Sequence, residues 1–317
     1  MKNKYLKTLA LATAAFCTVA LAGCGKTADT TTSSSLHVVT YENQQYQVPT
    51  SPQRIVTLSN SLLSMLNAVD GTSLARVDST EKLPEKLQAL PSLGHEANIN
   101  MEQLLSLKPD LVLGLSNQHS KLSGQLEGAH IPFVPLNYNG IADNVPLITF
   151  LGEITNHQDK AKEVIATYNK RIETVQAAVK GVTPVRVAVL RATGEAVTAE
   201  TDNAITASMV KLLGMDNVVL KHGGFDKNAK TVPYSLETLA ADDPDVIFIS
   251  TMGKKDEIQA TMAKEMTNNP AWQNLKAVKN GKVFYLPSNW FLLNPGLQTP
   301  DALAVLVKDA YGITVKP

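Results

Sequence analysis

Glu102-Gln-Leu-Leu-Ser-Leu-Lys-Pro109-Asp110-Leu-Val-Leu-Gly-Leu-Ser116 decides the fold, because Glu237-Thr-Leu-Ala-Ala-Asp-Asp-Pro244-Asp245-Val-Ile-Phe-Ile-Ser250 repeats its plan. In each copy a glutamate opens a short segment, Pro-Asp closes it, and an unbroken apolar run ends in a serine. The residue before a proline is pushed out of the αR region, so a helix stops there. A continuous apolar run then reads as a strand buried on both faces, as in a parallel sheet. Two such units in one chain imply two similar α/β lobes.

Working outward, each half carries matching signals in matching order. Arg54-Ile-Val-Thr-Leu58 leads into the apolar stretch Leu62 to Val69 with a stop at Gly71, and Val185 to Leu190 leads into Ala204 to Leu213 with a stop at Gly214. Pro132-Phe-Val-Pro-Leu136 and Lys282-Val-Phe-Tyr-Leu286 add a strand to each half, and Arg76 falls in a further predicted strand. Between the halves, Ala161, Val164, Ile165, Tyr168, Ile172, Val175 and Val179 keep the spacing of one helix face. Asn156 is the expected N-cap, with Asp159 in the first turn, and Gly181 and Pro184 the stop. At about 1.5 Å per residue that helix would be about 36 Å long, a rigid bridge. The expected fold is α/β, with two Rossmann-like lobes of mainly parallel sheet, 37–155 and 182–317, joined by one long bridging helix over 156–181.

The N-terminus speaks to compartment. Lys2, Lys4 and Lys7 precede a nearly unbroken apolar run from Leu9 to Leu21. That run is too short to span roughly 30 Å of hydrocarbon and reads as a signal peptide over 1–23. Leu21-Ala22-Gly23-Cys24 resembles a bacterial lipobox, which implies lipidation of Cys24 and a new N-terminus there. The Thr/Ser-rich segment after it, 24–36, reads as a flexible tether. Cys17 leaves with the signal peptide, so the mature body is expected to use no disulfide, thiolate metal site or thiol nucleophile. Lys plus Arg and Asp plus Glu number 29 each, so no basic excess points to nucleic acid.

Taken with Pro52-Gln-Arg-Ile-Val, Asn269-Pro-Ala-Trp272 and Val278-Lys-Asn-Gly-Lys-Val283, the two Pro-Asp units and the linking helix resemble the iron-siderophore, haem and cobalamin class of substrate-binding proteins. These serve ATP-binding-cassette (ABC) importers. The resemblance implies a lipid-anchored receptor on the extracytoplasmic side of the cell membrane. Its partners would be a permease dimer with its ATPase and a small iron-containing or tetrapyrrole ligand.

Ligands of open α/β sheets bind beyond the carboxyl ends of the strands. The residues expected there are Asn60, Ser116, Asn117 and Tyr138 on the first lobe and Arg191, Met252, Asn289 and Trp290 on the second. His95 joins them because the family segment at Gly94-His95-Glu96 is a cleft loop. Both His and Met are axial haem ligands, so the resemblance implies a His95–Met252 pair on haem iron and makes haem the leading cargo. Ferric siderophore or cobalamin is the alternative. His119 and His222 are weaker cleft candidates. Arg191 is the expected cation for an anionic ligand. Leu115, Ala97, Phe291 and Leu292 are expected to supply apolar walls.

The resemblance also places Glu102 and Glu237 on the outer face of each lobe, docking to the permease. Their other reading is a carboxylate complementing a helix N-terminus. No Gly-x-Ser-x-Gly elbow, phosphate loop or His-Glu-x-x-His helix occurs, so binding rather than catalysis is expected, with no catalytic cofactor. A zinc or manganese receptor, which would need converging histidines and carboxylates, and a secreted hydrolase are the readings from other classes.

Overall fold

A computed structural model of the chain describes residues 35–78 and 83–317. Cys24, the signal peptide and all but the end of the tether lie outside them. A hairpin of β1 (Leu36–Tyr41) and β2 (Gln44–Pro49) comes first. The parallel strands β3 (Ile55–Thr57), β4 (Leu111–Leu115) and β5 (Phe133–Leu136) then form a sheet in that order. The second sheet contains β6 (Arg186–Thr193), β7 (Val197–Glu200), β8 (Asp216–Asn217), β9 (Thr231–Pro233), β10 (Val246–Met252) and β11 (Val283–Leu286). Its order is β11-β10-β6-β7-β9, with β8 beside β6. β6, β8, β10 and β11 are parallel, whereas β7 and β9 extend the sheet antiparallel. These are two α/β lobes, as the repeat implied.

The repeated unit has a repeated physical basis. Lys108 and Asp243, each just before its proline, have φ of +48° and +38°, which ends the preceding helix by turning it left-handed. Arg54, just before β3, donates to the carbonyls of Leu107 and Lys108 at that helix end. Arg186, at the start of β6, does the same to Asp242 and Asp243. In return Asp110 accepts from the Arg54 backbone N–H at 2.9 Å, and Asp245 accepts from that of Arg186 at 3.3 Å. The Pro-Asp motif is therefore a clasp between neighbouring strands at their amino ends, opposite the cleft.

The linking helix runs Gln158–Val179, not 156–181, and His157 rather than Asn156 occupies its N-cap position. Asn156 has φ of +59° and ends the preceding helix, Asn144–Ile154; its side chain donates to the Thr50 carbonyl at 3.1 Å. Two helices abut there, and Asn156 in αL closes the first helix instead of capping the second. Along the linking helix, Ala161, Val164 and Ile165 pack into the core of the first lobe. Ile172, Val175 and Val179 pack into that of the second. One helix thus belongs to both cores. Arg76 lies in an isolated bridge to Ser92 rather than a strand, its guanidinium donating to the Gln88 and Val77 carbonyls.

Candidate functional site

Where strands of both sheets end, their loops face each other. Ser59 and Ser61 follow β3, Asn117 and Gln118 follow Leu115 of β4, and Tyr138 and Asn139 follow β5. Opposite them stand Arg191 of β6, Ala204 and Ile205 at the start of the helix Ile205–Leu212, Lys230 before β9, and Leu292 to Asn294. Together they enclose about 160 Å³. An adjoining recess of about 650 Å³ has Asn60, Ser64, Asp78, His95 and Glu96 on one side and Ser288, Asn289, Pro295 and Gln298 on the other. Ser61, Glu96, Gln118, Leu293 and Asn294 line both, so the two spaces form one cleft.

Among the expected residues, Asn60, His95, Asn117, Tyr138, Arg191 and Asn289 line this cleft. Ser116, Met252 and Trp290 do not. The Ser116 hydroxyl donates to Asn137 Oδ1 at 2.5 Å and is taken up in fixing the adjacent loop. Met252, 51% exposed, stands at the carboxyl end of β10 and lines neither of the two spaces. Trp290 packs against the second lobe's core, and its indole N–H donates to Gln298 Oε1 at 2.8 Å. Phe291 is fully buried in that core and is no cleft wall.

Of the expected His95–Met252 pair, His95 lines the larger recess and Met252 lines neither space. His95 Nδ1 accepts from the Ala97 backbone N–H at 3.2 Å, so the neutral ring carries its proton on Nε2, the nitrogen facing away from that contact. A metal-bound histidine normally has the reverse arrangement, donating from its other nitrogen. His119 is buried, its Nδ1 accepting from Leu115 N at 2.9 Å while its Nε2–H donates to the Glu96 carbonyl at 2.8 Å. Burial lowers its pKa and keeps the ring neutral, as those two bonds require. His119 is thus a strut holding the His95–Glu96 loop to β4. His222 pairs with Asp242 at 2.6 Å and lines neither space.

Arg191 reaches the cleft but is not a free cation. Its Nε and one terminal nitrogen donate to Glu200 Oε1 at 3.0 and 2.8 Å, and Ser250 Oγ donates to the same oxygen at 2.6 Å. Burial pushes the Glu200 carboxyl up, opposed by Arg191 and Ser250. With three donors on one oxygen, the site holds it as a carboxylate. Glu200 was missed because β7 was not recognised. Alternation in Val197-Thr-Ala-Glu200 puts Glu200 on the face opposite the apolar Val197 and Ala199, so its burial beside Arg191 and Ser250 has no signal in the sequence pattern.

Glu96 is the other missed group. Burial pushes its carboxyl up to about 7, partly offset by a hydrogen bond from Gln118. Asn60 Oδ1 and the Tyr138 hydroxyl are buried without a hydrogen-bond partner among the described residues. Tyr138 leans on Gly296, where φ is +58° and a Cβ would stand 2.9 Å from the Tyr138 oxygen. Close contact between the lobes at the cleft base therefore requires glycine.

Glu102 and Glu237 occupy the same position, the second residue of their helices, Met101–Ser106 and Leu236–Asp242. Asn100 and Ser235 cap those helices, accepting from Gln103 N at 3.0 Å and Thr238 N at 3.2 Å. Both glutamates are exposed. The Glu237 carboxyl is held below its usual range, first by its own backbone N–H and then by Ser235.

Residues 55–290 match the family described as "Periplasmic binding protein". The Fe(3+)-citrate-binding protein YfmC of Bacillus subtilis is 27% identical over 259 residues, 80% of this chain and 78% of the relative. The crystal structure of an ABC transporter substrate-binding protein from Listeria monocytogenes superposes with a TM-score of 0.71 at 25% identity, covering 83% of this chain and 100% of that one. Staphylococcus aureus IsdE complexed with heme superposes at 0.67 and 24% identity, over 81% and 98% of the two chains.

Proposed function

The chain belongs to the periplasmic binding protein family, and from that premise we propose that it captures an iron complex in its interlobe cleft and delivers it unchanged to an ABC importer. The observation that carries this reading is the cleft, of about 650 Å³ in its larger part, lined by residues of both lobes beyond the strand ends. Resemblance to a ferric-citrate-binding relative supports iron as the cargo's metal. The Gln158–Val179 helix, rooted in both cores, resists wide opening, so capture and release proceed with small lobe motions.

Within that class we favour an oxygen-rich ferric complex over haem, because His95 Nδ1 accepts from Ala97 N, the reverse of the usual metal-bound arrangement. The larger recess presents amides, hydroxyls and carboxyls beside the apolar side chains of Leu83, Pro84, Leu293, Pro295 and Leu297. Cys24 would carry the lipid anchor that keeps the receptor on the extracytoplasmic face, and Glu102 and Glu237, at equivalent positions of the two lobes, would dock a two-fold permease surface.

The test is retention of coloured cargo. Purified mature protein is mixed with ferric siderophores, ferric citrate or haemin, separated from free ligand and read by visible absorption. A ligand-to-iron charge-transfer band travelling with the protein is expected. A retained Soret band would return the assignment to haem. Retention of no iron complex would refute the iron reading.

A further inference from the structure

We infer that the cargo is a ferric complex of zero or nearly zero net charge, with a periphery that both donates and accepts hydrogen bonds; this rests on the receptor reading above. The charged groups at the cleft are largely matched by the protein itself. Arg191, the cation nearest the base, is held by Glu200 at 2.8 Å. Asp78, on the wall of the larger recess, has Arg76 at 3.8 Å and the Ser92 hydroxyl at 2.5 Å. Lys230 and Glu96 remain on the same 160 Å³ space, where Glu96 offsets the Lys230 charge when ionised.

A polyanionic ferric complex would be desolvated in this cleft with no cluster of unpaired cations among the described residues to meet it, and removing charge from water without a partner is costly. An uncharged complex has no such penalty. Its carbonyl oxygens and amide N–H groups would meet what the walls do offer: the amides of Asn117, Gln118 and Asn289 and the hydroxyl of Ser61. Specificity in such a site comes from groups left unpaired by the wrong ligand.

The same ion pair supplies the test. Four probes are titrated while the fluorescence of Trp272 and Trp290 is followed: a neutral ferric tris-hydroxamate, ferric citrate, a ferric tris-catecholate and haemin. The tris-hydroxamate is expected to bind at least about tenfold more tightly than the other three. Glu200→Gln, which frees the Arg191 charge, is expected to raise affinity for the anionic complexes relative to the neutral one by about tenfold. Should Glu200→Gln fail to fold by circular dichroism, Glu96→Lys places a new cation in the same space and is expected to shift selectivity in the same direction. Equal or tighter binding of an anionic complex or haemin by the wild type would overturn the inference and leave the receptor reading standing. Neither quenching nor co-elution with any of the four would overturn both.

Discussion

His119 Nε2 lies 2.8 Å from the backbone oxygen of Glu96, while its Nδ1 lies 2.9 Å from Leu115 N. One buried ring thereby ties the loop on the cleft wall to the carboxyl end of the first lobe's central strand. The loop's two cleft-lining side chains, His95 and Glu96, are presented by this bond. His119→Ala would leave the Leu115 N–H and the Glu96 carbonyl without their partner, at about 2–3 kcal/mol of stability. Urea unfolding should show that loss, and hydrogen exchange should accelerate at 94–98 before elsewhere. Unchanged exchange there would reject the strut.

Glu96 and His119 give stability opposite pH dependence. The Glu96 carboxyl is raised to about 7 in the fold, from an ordinary value of 4.5. Its contribution is fully present below about pH 4.5 and is lost as pH rises through about 7, up to about 3 kcal/mol in all. His119 is lowered, so stability falls as pH drops through its ordinary range near 6.5 and below. Subtracting the Glu96→Gln unfolding profile from the wild-type one should isolate a declining curve between about pH 4.5 and 7. A flat difference would show that Glu96 is not desolvated.

Gly152 sets how closely the Asn144–Ile154 and Gln158–Val179 helices cross. A Cβ there would stand 2.4 Å from the Ala161 Cβ, far inside contact distance. Gly152→Ala should lower stability by about 1–3 kcal/mol, as overpacking does. Ala161→Gly on the same chain should recover most of it, and thermal melts of the singles and the double form the cycle that decides.

Glu102→Ala together with Glu237→Ala should impair iron uptake in cells while leaving cargo affinity intact. Both side chains are exposed on helix first turns, remote from the cleft lining, so neither removal opens a core. Loss of cargo affinity in the double variant would defeat the docking assignment.

Cys24→Ala should release the receptor from the membrane into the medium or extracytoplasmic space and abolish incorporation of labelled lipid. Continued membrane association of that variant would remove Cys24 as the anchor.

The two-lobe plan was legible in the chain because its determinants are local. A proline restricts the residue before it, an apolar run of strand length must be buried, and a face repeating every three or four residues makes a helix, whatever the rest of the molecule does. Pro109-Asp110 and Pro244-Asp245 carried that information, and the linking helix was found to within two residues at each end. The cleft was legible in outline for the same reason, since strand ends place Asn60, Asn117, Tyr138, Arg191 and Asn289. Which of their charges is available to a ligand depended on partners distant in sequence or hidden in an unrecognised strand. Only the folded structure joined Arg191 to Glu200 and Ser250, and set His119 beneath Glu96. Those relationships are decided by burial and by distances between side chains from different elements, which a pattern along one chain does not contain.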